Sequence, residues 1–230
     1  MGKSKDLATG VSYVDTAGDT MTGELVNDSI YLTNNIGQKL FMYRDGNVKY
    51  GLELQGSDFR VFAEDQAAIN LGHTARSDGS TFTSRLGVDS SGRVTIPSQP
   101  SFFVQKNNGN HTTTADIVYN NVVHNEGSHY STSNGRFTAP VAGKYLFSAT
   151  GICGNSTATA AAGDVRITVN GSTYVRGHFN MSDQWESITS QAVISLSVND
   201  YVNIYFEVGS GSAYMYGHAQ YAVFSGHLLG

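Results

Sequence analysis

The chain contains one cysteine and three prolines in 230 residues, and only 14% of its residues are charged. A single thiol allows no internal disulfide, so the fold does not depend on an oxidising compartment. The 14 basic side chains are outnumbered by 19 acidic ones, which gives a net charge of -5. We expect no nucleic acid partner, because affinity for nucleic acid rests on clustered lysine and arginine.

Long apolar runs are also missing. No stretch approaches the roughly 18 apolar residues that a membrane-spanning helix needs, and residues 1–10 are polar. We therefore expect neither membrane insertion nor export through an ordinary secretion signal. Cys153 lies in the apolar run 147–153, which predicts a buried structural thiol rather than a nucleophile.

Glycine and aromatic residues, in contrast, are abundant: the chain has 26 Gly, 13 Tyr and 11 Phe. A hydrophobic fraction of 40% suffices for a packed core. Short apolar runs alternate with Asp-Gly or Ser-Gly at 45–46, 78–79 and 91–92, which are hairpin signals. The pattern predicts an all-β protein, in which only residues 63–71 have the composition of a short helix.

Pro97 and Pro100 mark a boundary in composition. Residues 1–100 carry 21 charged side chains and residues 101–230 carry 12. We predict an extended N-terminal segment at 1–25, a short shaft rich in β-hairpins at 26–97 and a head at 101–230. Isolated hairpins bury little surface, so the shaft is expected to need partner chains.

The N-terminal segment has one specific motif, Asp-Thr-Ala-Gly-Asp-Thr-Met-Thr-Gly-Glu-Leu at 15–25, whose main positions are Asp15, Asp19, Thr20, Met21, Thr22 and Gly23. It resembles a signature near the N-terminal ends of many bacteriophage tail-fibre and related virion-fibre proteins. Residues 86–97 resemble shaft segments of such fibres. The resemblance implies that residues 1–25 attach the protein to other virion proteins; the residues alone also allow a flexible tail.

From residue 101 onward, short runs with strand composition follow one another, which predicts a sandwich or jelly roll. In 143–149, alternation places Tyr145, Phe147 and Ala149 on one face. The spacing of a larger set is similar to the C1q-like branch of the trimeric jelly rolls that include tumour necrosis factor. The matching positions are Asn125, Tyr130, Phe137, Gly143, Tyr145 and Phe147, and the first position of the pattern holds Tyr119 in place of the usual Phe.

This resemblance implies a ten-strand jelly roll that forms a compact homotrimer, with Tyr and Phe side chains packed along the threefold axis. Ala149 departs from the pattern, because an aromatic residue is usual there. No Gly-x-y repeat precedes the head, which excludes a collagen stalk.

Motifs for catalysis or metal binding are lacking. The seven histidines form no His-x-His pair and no His-Glu-x-x-His motif, and the calcium loop and common hydrolase motifs are absent. We expect no metal, no cofactor and no enzyme activity. The sequence still leaves open a glycosidase pair among its C-terminal carboxylates, which include Asp164, Asp183, Glu186, Asp200 and Glu207.

Binding of another molecule is the class of function that remains after catalysis and metal binding. Polar, glycine-rich stretches at 106–114, 154–163, 176–186 and 209–218 are predicted to be loops, where binding sites concentrate. The candidate receptor-binding residues are Trp185, Arg176, His178, Asn180, Tyr214 and Tyr216. Trp185 suits stacking on a sugar while Arg176 and Asn180 donate hydrogen bonds, if folding brings them together. Tyr214 and Tyr216 have the alternative of a shared core or trimer face.

The sequence thus predicts a homotrimeric virion fibre protein, made in the host cytoplasm, whose head binds a glycan or protein of the host surface. The alternative is a structural neck, capsid or decoration fibre that binds no receptor.

Overall fold

The structure is a computed structural model that describes residues 37–45, 48–55, 58–63, 67–74, 82–157, 160–182 and 184–230. The predicted attachment motif at 15–25 and the Asp-Gly turn at 78–79 lie outside these ranges. The chain divides into two compact units, residues 1–69 and 70–230. The boundaries predicted for the attachment segment, shaft and head stay a prediction.

The first unit contains an antiparallel sheet in the order β1-β2-β3. Its strands are β1 (Gly37–Asp45), β2 (Val48–Gln55) and β3 (Asp58–Phe62). Asp45 pairs with Val48 and Gln55 with Asp58, so both connections are tight hairpins. The first of them is the hairpin that Asp-Gly at 45–46 predicts.

A second small sheet, ordered β4-β5-β6, precedes the head. Its strands are β4 (Ile69–Thr74), β5 (Phe82–Val88) and β6 (Val94–Thr95). Residues 63–71, which have the composition of a helix but are too short for a stable one without packing, overlap with β4 from Ile69 onward. The hairpin predicted around 91–92 is confirmed: Val88 pairs with Val94, and Gly92 has a φ of +78°.

This small sheet leaves large apolar side chains exposed: Leu71, Phe82, Leu86, Val88, Val94 and the adjoining Ile96. Strands β5 and β6 bury almost none of their residues within the protomer. The free energy of folding of such a sheet therefore gains little from the hydrophobic effect in a single chain.

The head is a sandwich of two antiparallel sheets. The first sheet has the order β15-β12-β18-β7-β9, with β17 on β12, and the second has the order β10-β11-β16-β13-β14, with β8 on β16. Each sheet therefore has six strands, five along its ordered path and one beside it, so the jelly-roll-like sandwich has twelve strands where the resemblance implies ten.

The strands of the first sheet are β7 (Ser101–Gln105), β9 (Asn121–Glu126), β12 (Gly143–Asn155), β15 (Trp185–Leu196), β17 (Ala213–Met215) and β18 (Val223–Leu228). Those of the second sheet are β8 (Ala115–Asp116), β10 (Tyr130–Ser131), β11 (Arg136–Thr138), β13 (Ala161–Val169), β14 (Ser172–Met181) and β16 (Tyr201–Ser210).

Aromatic side chains dominate the space between the two sheets. Phe102 packs against Phe224, Phe137 and Tyr130, with ring centroids 4.9, 5.1 and 5.3 Å away. Gly226 makes this packing possible, because a Cβ there would lie 2.5 Å from the Phe102 ring and 2.7 Å from the Phe147 ring. Tyr145, Phe147 and Ala149 are all buried, as the alternation predicts.

The residues of the C1q-like pattern are also linked by polar contacts. The Asn125 side chain donates to Tyr130 O (2.9 Å) and accepts from Tyr130 N (3.0 Å). The Tyr130 hydroxyl accepts from Tyr119 N (3.0 Å) and donates to Tyr119 O (3.2 Å). Burial raises the pKa of Tyr130 to about 12, so this hydroxyl keeps its proton. These hydrogen bonds hold the segment before β11 against the core.

The packing of Tyr and Phe side chains along a threefold axis stays a prediction, and it does not involve the aromatic residues of the C1q-like pattern. Tyr119, Tyr130, Phe137, Tyr145 and Phe147 all lie inside the sandwich of a single protomer. They cannot line a threefold axis between protomers, because both sheets separate them from the surface.

Cys153 is fully buried in the same core. Burial, aided by the nearby Glu186 carboxylate, raises the pKa of its thiol to about 12. Since the thiolate is the nucleophile, we expect the folded protein at pH 8.5 to resist iodoacetamide, whereas the chain unfolded in guanidinium takes one adduct. Mass spectrometry at matched times compares the two states, and equal labelling of both would contradict a buried thiol.

Candidate functional site

The two outer faces of the head differ in charge. Strand alternation turns one set of side chains of each sheet into the core and the other set outward. We call the outer side of the first sheet the uncharged face, which comprises Phe103, His124, Leu146, Ser148, Thr150, Ile152, Trp185, Ser187, Thr189, Gln191, Val193, Val223, Ser225 and His227. These residues include no carboxylate, lysine or arginine; Lys144, paired with Ser195, and Glu126, paired with Ser101, lie at the margins of the face.

One end of the uncharged face is apolar. Leu146 and Val193 are paired across β12 and β15, and both are exposed. A shallow cavity of about 340 Å³ lies beside Leu146, between Phe103, His124 and His227. Depletion of charge together with aromatic and aliphatic residues is typical of the centre of a protein interface.

The other end of this face carries an aromatic group. The Trp185 ring lies edge-on to Tyr214 and Tyr216, with centroids 5.9 and 5.3 Å away. Tyr216 stacks on His218 and contacts Tyr221. A cavity of about 270 Å³ is lined by Trp185, Tyr216, Tyr221 and Ile152.

The outer side of the second sheet is charged. We call it the arginine face, since it carries all three arginines of residues 101–230, namely Arg136, Arg166 and Arg176. Arg136 lies over the Tyr201 ring, with its guanidinium carbon 4.0 Å from the centroid. Arg166 and Arg176 are cross-strand partners on β13 and β14.

Asp164 is the centre of this face. Its Oδ2 contacts Arg166 Nη2 (2.8 Å) and Arg176 Nη1 (3.1 Å), and its Oδ1 contacts His178 Nδ1 (2.8 Å). Arg166 also forms an ion pair with Glu207, the cross-strand neighbour of Asp164 on β16. Three cationic or potentially cationic groups thus cover one carboxylate, which explains how a charged residue on a sheet surface is buried.

The candidate binding residues therefore fall into two groups. Trp185, Tyr214 and Tyr216 belong to the uncharged face, whereas Arg176, His178 and Asn180 project from β14 on the arginine face. Folding does not bring Trp185 together with Arg176, so the condition for a joint sugar site is not met. Tyr214 and Tyr216 share an outer face rather than the core, since Ala213 and Met215 are the buried residues of β17.

The predicted loop at 176–186 is wrong up to Met181, because β14 extends to that residue. The strand alternates buried and outward side chains, and its buried members include Phe179 and Met181. Because the outward members are polar, the stretch has the composition of a loop, and the alternation was missed. Asn180 donates its backbone N–H to Glu186 Oε2 (3.0 Å), which joins β14 to the start of β15. Asp183 lies outside the described residues.

A buried basic side chain, Lys106, and the half-buried His111 near it escaped the sequence analysis. Lys106 continues the inward series of Phe102 and Val104, and its Nζ donates to Asn108 Oδ1 (2.6 Å). Burial lowers the pKa of Lys106, and burial together with Lys106 lowers the pKa of His111. The alternation from Phe102 was the available signal for Lys106.

Two carboxylates of the arginine face, Asp164 and Glu207, are engaged in ion pairs. Asp164 and Glu207 are cross-strand neighbours, and Arg166 contacts both of them.

Within the described residues, no group of three His, Cys, Asp or Glu side chains is placed to hold a metal ion. In the same ranges, no helix is long and apolar enough to cross a membrane.

The head is similar to the globular domain of zebrafish complement 1qA protein, at 20% identity and a TM-score of 0.45, covering 57% of this chain and 98% of that one. It is also similar to Eiger TNF from S. frugiperda, at 11% identity and a TM-score of 0.45, covering 58% of this chain and 94% of that one. Its similarity to murine APRIL is 15% identity and a TM-score of 0.45, covering 57% of this chain and 99% of that one. No curated protein matches the chain. Residues 101–229 match the family model of the C1q domain, and because this match spans more than half of the sequence, the chain belongs to the C1q domain family.

Proposed function

We propose that this protein is a homotrimeric virion fibre protein whose head binds the surface of the host cell. C1q/TNF-like domains in general mediate trimeric assembly and binding. The observation that carries the proposal is the contrast between the uncharged and arginine faces, which suits one face for self-association and the other for recognition. The virion context is supported by the resemblance of residues 15–25 to the fibre signature.

Self-association through the uncharged face follows from its composition. Leu146 and Val193 are exposed apolar neighbours on a sheet without charged side chains between them and Trp185. A second copy of the chain suits such a face, because burying it removes apolar area from water and strands no charge. We therefore assign Trp185, Tyr214 and Tyr216 to contacts between protomers.

The small sheet before the head supports the same assembly. Phe82, Val94 and Ile96 are exposed in one protomer, and such side chains stabilise a stem only where other chains cover them. Three copies in parallel would place three heads together. Weak contacts by each head then combine into useful avidity on a surface that repeats its ligand.

The test is competition for adsorption. We expect the purified full chain to bind host cells and to slow adsorption of the particle that carries it, because both occupy the same surface ligand. Residual free particles are counted over time with and without saturating protein. If the trimer neither binds cells nor slows adsorption, the receptor function is wrong and the structural-fibre alternative replaces it.

A further inference from the structure

We propose that the arginine face binds the ligand, through Arg176 and His178, and that the ligand is an anionic saccharide bearing a carboxylate or phosphate. This inference rests on the proposed host binding and names its surface and ligand class. It follows from how far each charged side chain around Asp164 is exposed to solvent.

The contacts around Asp164 present Arg176 and His178 to solvent. Side-chain exposure is 6% for Asp164, against 54% for Arg176 and 61% for His178. In the neighbouring pair the order is reversed, since Arg166 is 15% and Glu207 36% exposed. At the β14 edge the Asp164 carboxylate is thus set back, and an approaching ligand meets Arg176 and His178 first. An anion is favoured there although the formal charges nearly cancel, because the nearest charge contributes most to the Coulomb energy.

Asp164 also positions the two exposed side chains. Arg176 uses Nη1 and His178 uses Nδ1 to contact the same buried carboxylate, at 3.1 and 2.8 Å. A guanidinium has five N–H donors, so donors remain for a ligand after this contact. Holding both side chains in advance reduces the conformational entropy that binding would otherwise cost.

The neighbouring side chains suit a saccharide. Tyr174 is exposed two residues before Arg176 on β14, and Asn180 is exposed two residues after His178. A tyrosine ring and an amide offer stacking and hydrogen bonds to hydroxyl groups. Arg176, His178 and Asn180 form a row along the outer edge of the second sheet, and Tyr174 lies at the register shift just before this row. A chain of sugar units can lie along the strand there.

The assembly leaves this surface accessible. If the uncharged face is covered by other protomers, the arginine face is the other broad surface of each sandwich. A trimer then presents three such rows, which matches a repeating polysaccharide.

Binding by the full-length trimer tests the ligand class. The probes are oligogalacturonate (carboxylate), its methyl ester (neutral), phosphomannan oligosaccharide (phosphate) and the corresponding unphosphorylated mannan oligosaccharide, each measured by calorimetry. We expect the free acid, the phosphate or both to bind, their neutral counterparts not to bind, and affinity to fall as NaCl rises. The two charged probes distinguish carboxylate from phosphate recognition. Equal binding of a charged probe and its neutral counterpart, or binding of neither charged probe, overturns the ligand class.

Variants test the surface. Arg176→Gln is expected to reduce binding to the charged probe and to host cells about tenfold or more, since it removes a charge-assisted contact. Arg176→Lys keeps the positive charge but not the planar guanidinium, so its affinity for the charged probe should lie between those of the wild-type protein and Arg176→Gln. Arg93→Gln is the matched control, because it removes one positive charge from an exposed side chain before the head and should leave binding unchanged.

The outcomes separate this inference from the proposed function. Host cells bound equally by the wild-type protein and Arg176→Gln, with both trimeric by sedimentation, overturn the assignment of the face while host binding stands. Absence of cell binding by the wild-type protein contradicts the proposed function. In that case, binding of the saccharide probes alone tests whether the arginine face recognises anionic saccharides.

Discussion

Replacing Phe102 with alanine is expected to lower the free energy of unfolding of the head by about 3–5 kcal/mol. Phe102 is buried on β7 and touches aromatic rings from β10, β11, β12 and β18, the farthest centroid being that of Phe147 at 6.4 Å. These neighbours come from both sheets, so the sandwich cannot collapse around the missing ring without moving strands. Urea denaturation at one fixed protein concentration measures the loss.

Tyr174→Ala is the matched control for this substitution. Tyr174 is also an aromatic residue on a strand, but its side chain is exposed, at the register shift in β14. Its removal should change the free energy of unfolding by no more than about 0.5 kcal/mol. A Phe102→Ala protein as stable as Tyr174→Ala would show that Phe102 does not join the two sheets.

A carboxylate at residue 193 is expected to convert the trimer into monomers. Val193 is 52% exposed in the protomer and Leu146, its partner on β12, is 42% exposed, so both are available to another copy. Val193→Asp places three unpaired charges in one trimer interface, and each costs several kcal/mol to desolvate. Sedimentation equilibrium at micromolar concentration should change from three times the chain mass to the chain mass.

Leu146→Asp should have the same effect, because it places the charge at the paired position. Thr138→Asp is the control: Thr138 is exposed on the arginine face and should leave the trimer intact. A trimeric Val193→Asp protein would exclude the uncharged face as the interface, and a monomeric wild-type chain would exclude the homotrimer itself.

The sequence by itself determined the class of the fold and much of the core. Alternation in 143–149 placed Tyr145 and Phe147 inside, and both are buried. The fixed spacing from Tyr119 to Phe147 indicated the C1q family, since local pairs such as Asn125 with Tyr130 need only five residues of separation. Such features survive in sequence because they depend on strand periodicity and on contacts between residues close along the chain.

Only the tertiary structure decided which surface residues lie together. Arg176 and Trp185 are nine positions apart, yet β14 ends one sheet and β15 ends the other, so their side chains point to opposite faces. Conversely, Asp164, His178 and Glu207 meet across three strands through register alone. Register depends on how whole strands pair and pack, and no local pattern specifies it. For that reason, the sequence named Arg176 and His178 as binding residues, and only the fold supplied the buried carboxylate that holds them.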